Sequence, residues 1–195
     1  MLHGKRKKMK MKNRAFDLSS YTFRKGEKIL VDTNIWLYLF PAPSNPAHPV
    51  ATQYSNAFSN LIAAKAQPIL DPMVLGEYLN RYARIEWEGL HKAQYPSFKQ
   101  FRNSSDFQAV ASSIETFARK ILRFCEVHTI APNQLDLQQA LSDFTHGHVD
   151  FTDAILIDIC KKCNIKIMTN DGDFQDGGLE VLTTNPRLLQ ACPCI

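Results

Sequence analysis

Four acidic residues stand where a folded chain could gather them: Asp32, Glu77, Asp153 and Asp171. Asp32 follows the apolar run Ile29 to Val31 in KILVDTN, and Asp171 follows Ile165 to Met168 in IKIMTNDGDF. Each of these carboxylates is thus delivered at the end of a strand-like segment. Asp153 opens an apolar helix-like segment, where a negative charge also complements the helix dipole. Glu77 lies early in a further helix. Carboxylates converging on one crevice repel and raise one another's pKa values unless a cation joins them. An oxygen-only donor set suits Mg²⁺ or Mn²⁺, as one or two ions. Two such ions could activate a water and stabilise the leaving oxygen in phosphodiester cleavage.

Each acid also has a plainer reading. Asn, Asp and Gly supply turn geometry cheaply, so Asp32 could begin an Asp-Thr-Asn turn and Asp171 could simply end a strand. Asp153 could merely cap. Glu77 lies opposite the stripe Leu75, Tyr78, Leu79 and Tyr82, four residues before Arg81, and could pair with it. Glu77, Asn80, Arg81 and Arg84 share a polar face that could equally turn toward an RNA backbone. Spacing alone leaves both readings open.

The elements that must position these residues follow from hydrophobic pattern. Strands are expected at Ile29–Val31, 68–70, 127–130, 165–168 and 181–183. Tyr54, Ala57, Phe58, Leu61 and Ile62 fit one face of a helix within 50–66. Asp71 followed by Pro72 is a helix start, with the aspartate capping free amides and proline at the first helical position. Further helices are expected over 35–40, 106–125, 132–144 and 152–163. The segment 87–103 shows no strong periodicity and reads as a loop or insertion with aromatic anchors, and PAPSNPAHP as a proline-rich loop. Strands alternating with helices predict a three-layer α/β/α sandwich with a mostly parallel central sheet. In such a sheet, sites form beyond the carboxyl ends of the strands.

The chain has 195 residues, 45% of them hydrophobic, enough for one domain with a core. Its net charge of +4 is carried by the start of the chain: Lys5, Arg6, Lys7, Lys8, Lys10, Lys12 and Arg14 precede any acid. Without these seven of the 23 basic residues, 16 face 19 acidic ones. The body is therefore slightly acidic. We expect residues 1–26 to form a flexible basic arm, solvated or touching nucleic acid through counterion release, and 27–195 to form the domain. No apolar segment of signal-peptide type follows the basic residues. The apolar stretches are broken by Asp32 or Lys65, far short of a membrane span. Five cysteines, an odd number, suggest reduced thiols in a cytoplasmic setting. Cys160, Cys163, Cys192 and Cys194 could form a four-thiolate zinc site. Against this, Cys160 lies in the apolar segment ILIDIC and the terminal CPC lacks the usual spacer.

ILVDTNIWLYLF, followed by Glu77 and then FTDAILIDICKKCNIKIMTNDGDF, resembles the PIN domain family over roughly residues 28–183. The resemblance implies a Mg²⁺- or Mn²⁺-dependent endoribonuclease in which Asp32, Glu77, Asp153 and Asp171 hold the metal. Thr33, Asn34 and Thr169 match polar positions around such sites, and Asp150 and Asp173 are auxiliary carboxylates. It implies an RNA substrate, with Lys5, Arg6, Lys7, Lys8, Arg81 and Arg84 as candidate RNA contacts. Many family members are VapC-type toxins, so an antitoxin partner and a homodimer are further expectations. The basic arm and the extra length at 87–103 depart from the compact toxin pattern. A haloacid-dehalogenase-like phosphatase needs a second acid two residues after the first, where this chain has Asn34. The remaining alternative is a catalytically silent RNA-binding or interaction module on the same fold.

Overall fold

A computed structural model of the chain describes residues 11–147 and 149–193. Six strands form one sheet: β1 (Arg14–Asp17), β2 (Lys28–Val31), β3 (Gln67–Leu70), β4 (Glu126–Val127), β5 (Lys166–Met168) and β6 (Glu180–Thr183). Their spatial order is β1-β6-β5-β2-β3-β4, and every pair within it is parallel. An antiparallel bridge, Lys12 to Asp176, lies outside the named strands.

The order explains where a site can form. From β2 the chain moves outward to β3 and β4, then returns to the other side of β2 to lay down β5 and β6. Because parallel crossovers are right-handed, connections running in opposite directions cover opposite faces. On one path lie α1 (Thr33–Leu39), α2 (Ala51–Ala63), α3 (Pro72–Glu86), α4 (Phe98–Arg102) and α5 (Asp106–Phe124). On the return path lie α6 (Leu137–Thr145) and α7 (Phe151–Cys163), which pack on each other; α8 (Pro186–Ala191) packs near β1. This gives the α/β architecture expected from the sequence. The two paths diverge between β2 and β5, so a crevice opens there at the carboxyl ends of the strands.

The central strands are buried on both faces, which is why they read as unbroken apolar runs. Ile29, Leu30, Val31, Ile69 and Ile167 are fully buried. Around them pack Trp36, Tyr54, Leu61, Tyr78, Tyr82 and Ile121, the large side chains of the helical layer formed by α1, α2, α3 and α5. Asp71 caps α3 by accepting from the Met73 amide at 2.8 Å, with Pro72 in the first turn.

Two expectations change. The segment 87–103 is helical at both ends around a short loop: α3 runs on into a π-helical turn, Trp87–His91, and after residues 92–97 α4 starts at a capping box formed by Ser97 and Gln100. The π-turn shifts the 3.6-residue period, so the pattern fades from the sequence although the aromatics still converge. Phe101 is fully buried and meets His91 and Phe107, while the Trp87 indole donates to Tyr95 O at 2.8 Å. The second change concerns the arm. Arg14–Asp17 forms an edge strand on β6, and Ala15, Leu18 and Phe23 enter the core, so the folded body begins well before residue 27. Lys5, Arg6, Lys7 and Lys8 lie outside the described residues.

The β1 edge also fixes the loop that follows Asp171. Asn13 is 2% exposed; its amide donates to Phe174 O at 2.9 Å and its carbonyl accepts from Leu179 N at 2.8 Å. Asn13→Ala would leave two buried backbone groups without partners. The expected loss is on the order of 2 kcal/mol in denaturant unfolding; an unchanged midpoint would show that the loop holds without this clasp.

Candidate functional site

At the divergence of β2 and β5, Asp32 leaves the sheet in extended geometry and becomes the N-cap of α1. Its carboxylate is nearly enclosed, at 6% exposure. Oδ1 accepts from Thr33 N at 2.6 Å, while Oδ2 accepts from the Thr169 hydroxyl at 2.6 Å and from the Asn34 side-chain amide. Burial pushes its pKa up to about 6 against the hydrogen bonds from Thr169 and Thr33, and the charges of Glu77 and Asp171 push the same way.

Thr169 is the joint between the two strand ends. Fully buried, its hydroxyl donates to Asp32 and accepts from Asn34 Nδ2 at 3.1 Å and from Asp171 N at 3.0 Å. The Asn34 carbonyl in turn accepts from Asn170 N at 3.1 Å. The TND segment is therefore tied to the DTN segment by three side-chain bonds, and a fourth, from Asp171 N to Thr169, registers Asp171 to that joint. Asp171 Oδ1 accepts from Asp173 N at 2.9 Å, an aspartate turn that aims the carboxylate back along the loop. Asp173 itself is exposed and lies 3.5 Å from Arg187.

Glu77 enters from the neighbouring helix. Thr33 Oγ1 donates to Glu77 Oε2 at 3.0 Å, and Arg81 stands 3.8 Å from Oε1 on the solvent side. The sequence alternative of a Glu77–Arg81 pair is thus present together with a bond to the residue beside Asp32. Asp153 lies in the first turn of α7, after the N-cap residue Asp150. No described hydrogen bond or ion pair involves its carboxylate. Burial raises its pKa to about 7, with Asp32, Asp171, Asp150 and Glu77 adding to the shift. Asp32, Glu77, Asp153 and Asp171, with Asp150, therefore lie within electrostatic reach of one another.

As the side chains stand, no three His, Cys, Asp or Glu among the described residues are close enough to hold one ion. The donor set nevertheless fits a hard cation. It is all oxygen. Asp32 Oδ1 and Asp171 Oδ2 keep acceptor capacity, and the Asp153 carboxylate has no hydrogen-bond or ion-pair partner among the described residues. Two acids shifted upward in pKa, Asp32 buried and Asp153 half-buried, are what a cation relieves.

The other candidates divide. The Arg84 guanidinium lies over the Phe98 ring at 4.5 Å, engaged with the inserted helices. Asp158 pairs with Lys162 at 2.6 Å and accepts from Asp136 N at 2.9 Å. Cys160 is buried, and burial raises its thiol pKa. The Cys163 thiol meets His128 Nε2 at 3.0 Å, and Cys192 donates to Gln175 O at 3.3 Å. Cys194 lies outside the described residues. Asn170 and Tyr54 were not singled out from the sequence for the site. The Tyr54 hydroxyl is 3.1 Å from both Thr169 O and Asn170 Oδ1, and Asn185 donates to Asn170 O at 2.6 Å. Asn170 carried a signal, since it lies between two site positions in TND; the Tyr54 hydroxyl had none beyond its place on a helix face.

Comparison with known proteins adds a family. The family model for the PIN domain matches residues 29–178. Among solved structures, the chain is 18% identical to Mycobacterium tuberculosis VapC20, a sarcin-ricin-loop-cleaving toxin, over 75% of this chain and 92% of that one, with a TM-score of 0.47. It is 14% identical to PAE2754 from Pyrobaculum aerophilum, over 87% of this chain and 98% of that one, with a TM-score of 0.44. No curated protein matches.

The raised acids predict a pH signature of the metal-free protein. A carboxyl whose folded pKa exceeds its unfolded value of 3.8 costs nothing below that value and destabilises increasingly as pH rises through about 7. Asp153→Asn removes that cost. In chelator, the variant should melt above the parent at pH 8 and gain nothing at pH 4, as followed by thermal denaturation. Equal melting at pH 8 would show that Asp153 carries no such strain.

Proposed function

Because the chain belongs to the PIN domain family, we propose that it is a metal-dependent endoribonuclease hydrolysing RNA phosphodiester bonds. The observation that supports this reading is the electrostatic proximity of Asp32, Glu77, Asp153 and Asp171 near the sheet's switch point, where burial and mutual repulsion raise two of them. In this reading Asp32, Glu77, Asp153 and Asp171 hold one or two Mg²⁺ or Mn²⁺ ions. When bound, such ions activate water and stabilise the leaving oxygen.

The chain's own residues prepare that chemistry. Thr33 N, Asn34 and Thr169 fix the Asp32 carboxylate, so it meets a ligand without rearranging. Thr33 holds Glu77 on the far side, and Thr169 with Asp173 N holds Asp171. Asp150 adds negative charge beside Asp153. Arg81 and Arg187, at the rim, offer cations to phosphates that the acids would otherwise repel. Residues 1–10 would add a further basic contact as an arm, and the domain would comprise the rest.

The family resemblance extends the proposal to a toxin held inactive by an antitoxin protein, acting in the cytoplasm and as a homodimer. No helix among the described residues is long and apolar enough to cross a membrane.

Cleavage of single-stranded RNA in Mn²⁺ or Mg²⁺ tests the central claim. Asp32→Asn and Asp171→Asn should each lower the rate by at least about 100-fold while the fold, followed by circular dichroism, persists. Parental rates in both variants would sink the assignment. Deleting residues 1–10, short of β1, should weaken RNA binding and flatten its dependence on salt while leaving the cleavage step unchanged. An unaltered salt slope would return the segment to the solvated reading.

A further inference from the structure

A site built of carboxylates repels the phosphates of its own substrate, so affinity must come from groups beside it. Next to Asp171 the structure places such a group. The Asn170 side-chain amide donates to the Tyr38 hydroxyl at 3.0 Å, and the Asn170 backbone is pinned to Asn34. Tyr38 is therefore registered to the residue preceding Asp171. Its ring is half-buried, tilted against Tyr54 at 5.7 Å between centroids. On it lies the imidazole of His48, 4.6 Å away and 27° from parallel. His48 is exposed.

The loop that carries His48 is stiff for reasons written in its sequence. Pro41, Pro43, Pro46 and Pro49 fix φ at four places, and Pro49 restricts His48 itself to extended backbone. Ser44 anchors the loop to the end of α3, donating from N at 2.9 Å and from Oγ at 2.7 Å to the buried Glu86. Ala51 N bonds to His48 O at 2.9 Å, and Val50 N to His48 Nδ1 at 3.4 Å, so the neutral ring keeps its proton on Nε2. A flat ring is thus held rigidly on a second ring, one hydrogen bond from the residue beside Asp171, and nothing in the core requires it.

We infer that His48, seated on Tyr38, is a stacking platform for an unpaired base of single-stranded RNA, placing the strand against the carboxylate site. The inference rests on the ribonuclease reading and deepens it. Base–aromatic stacking tolerates any base, because every base has a π-face, and it adds affinity without bringing charge to the acidic rim. Pre-organisation by the prolines and by Ser44 lowers the entropy cost of forming the stack. His48 is a positioning residue: it orients the strand while other groups act on the phosphodiester.

The test uses the full chain and a fluorescent single-stranded RNA, read by anisotropy with Ca²⁺ replacing the activating ion. His48→Ala should weaken binding roughly five- to hundredfold, the range expected for loss of one stacked base, and His48→Phe should restore it. Scanning single abasic positions along the RNA should reveal one position where base loss weakens binding to the parent but not to His48→Ala. In cleavage, His48→Ala should raise KM and leave kcat near the parental value. Equal affinity of parent and His48→Ala, failure of Phe to rescue, or the absence of a base-sensitive position would overturn the inference. Because binding is read without cleavage, its failure in an active nuclease refutes the platform alone, whereas loss of no activity in Asp32→Asn and Asp171→Asn refutes the ribonuclease reading.

Discussion

Asp32 sets the constraint on which the rest of the site depends: a carboxylate enclosed at the end of the central strand of a parallel sheet. Removing such a group from water costs several kcal/mol unless donors replace the water. The fold supplies them from three directions, through the cap amide of α1, the Asn34 amide and the Thr169 hydroxyl on the adjacent strand. These donors only partly offset burial, since the group stays protonated to about pH 6. What remains uncompensated is the capacity to receive a cation.

The same solution determines which strands must be neighbours. Thr169 reaches Asp32 only because β5 lies beside β2 in register, with Met168 opposite Val31 and Asp32 N bonded to Met168 O at 3.0 Å. A slip of one residue would turn Thr169 to the other face and leave Oδ2 short of a donor. Asn34 and Asn170 close the link, and Tyr54 and Asn185 brace it from behind. Sheet register and site geometry are therefore one requirement expressed twice.

How much of this was legible follows from how local each signal is. Asp32, directly after an apolar strand, and Asp171, three residues after Met168, stood out because an acid just past a largely apolar run is readable within ten residues. The α3 start at Asp71-Pro72 was readable for the same reason. The edge strand β1 was hidden, because its partner is 166 residues away and the segment before it is rich in lysine. Asn13 and the Tyr54 hydroxyl were hidden likewise: each acts through bonds to a loop more than 100 positions distant. The helical character of 87–103 was lost to the π-turn, and Ile62, read as part of the buried face of α2, is turned to solvent near the helix end. Local chemistry survives in sequence, whereas registration between distant strands does not.

The acids at one pole are set against a different arrangement at the other. At the amino end of β5, Lys166 bonds Glu27 at 2.6 Å, Glu180 at 2.7 Å and the Tyr21 hydroxyl at 2.7 Å, and lies over the Phe16 ring. Burial would lower its pKa, yet these hydrogen bonds raise it, and Glu27 falls below its usual range. There, charge is closed on itself. At the carboxyl end of the same strand, Asp171 and Asp153 act electrostatically on Asp32, and among the described residues no ion pair neutralises any of the three. A strand three residues long thus separates a neutralised pole that holds the edge of the sheet from an unneutralised pole open to what binds. Because one sheet positions both, the cost of the raised acids at the second pole is borne by the stability of the fold as a whole, and a bound cation would relieve it.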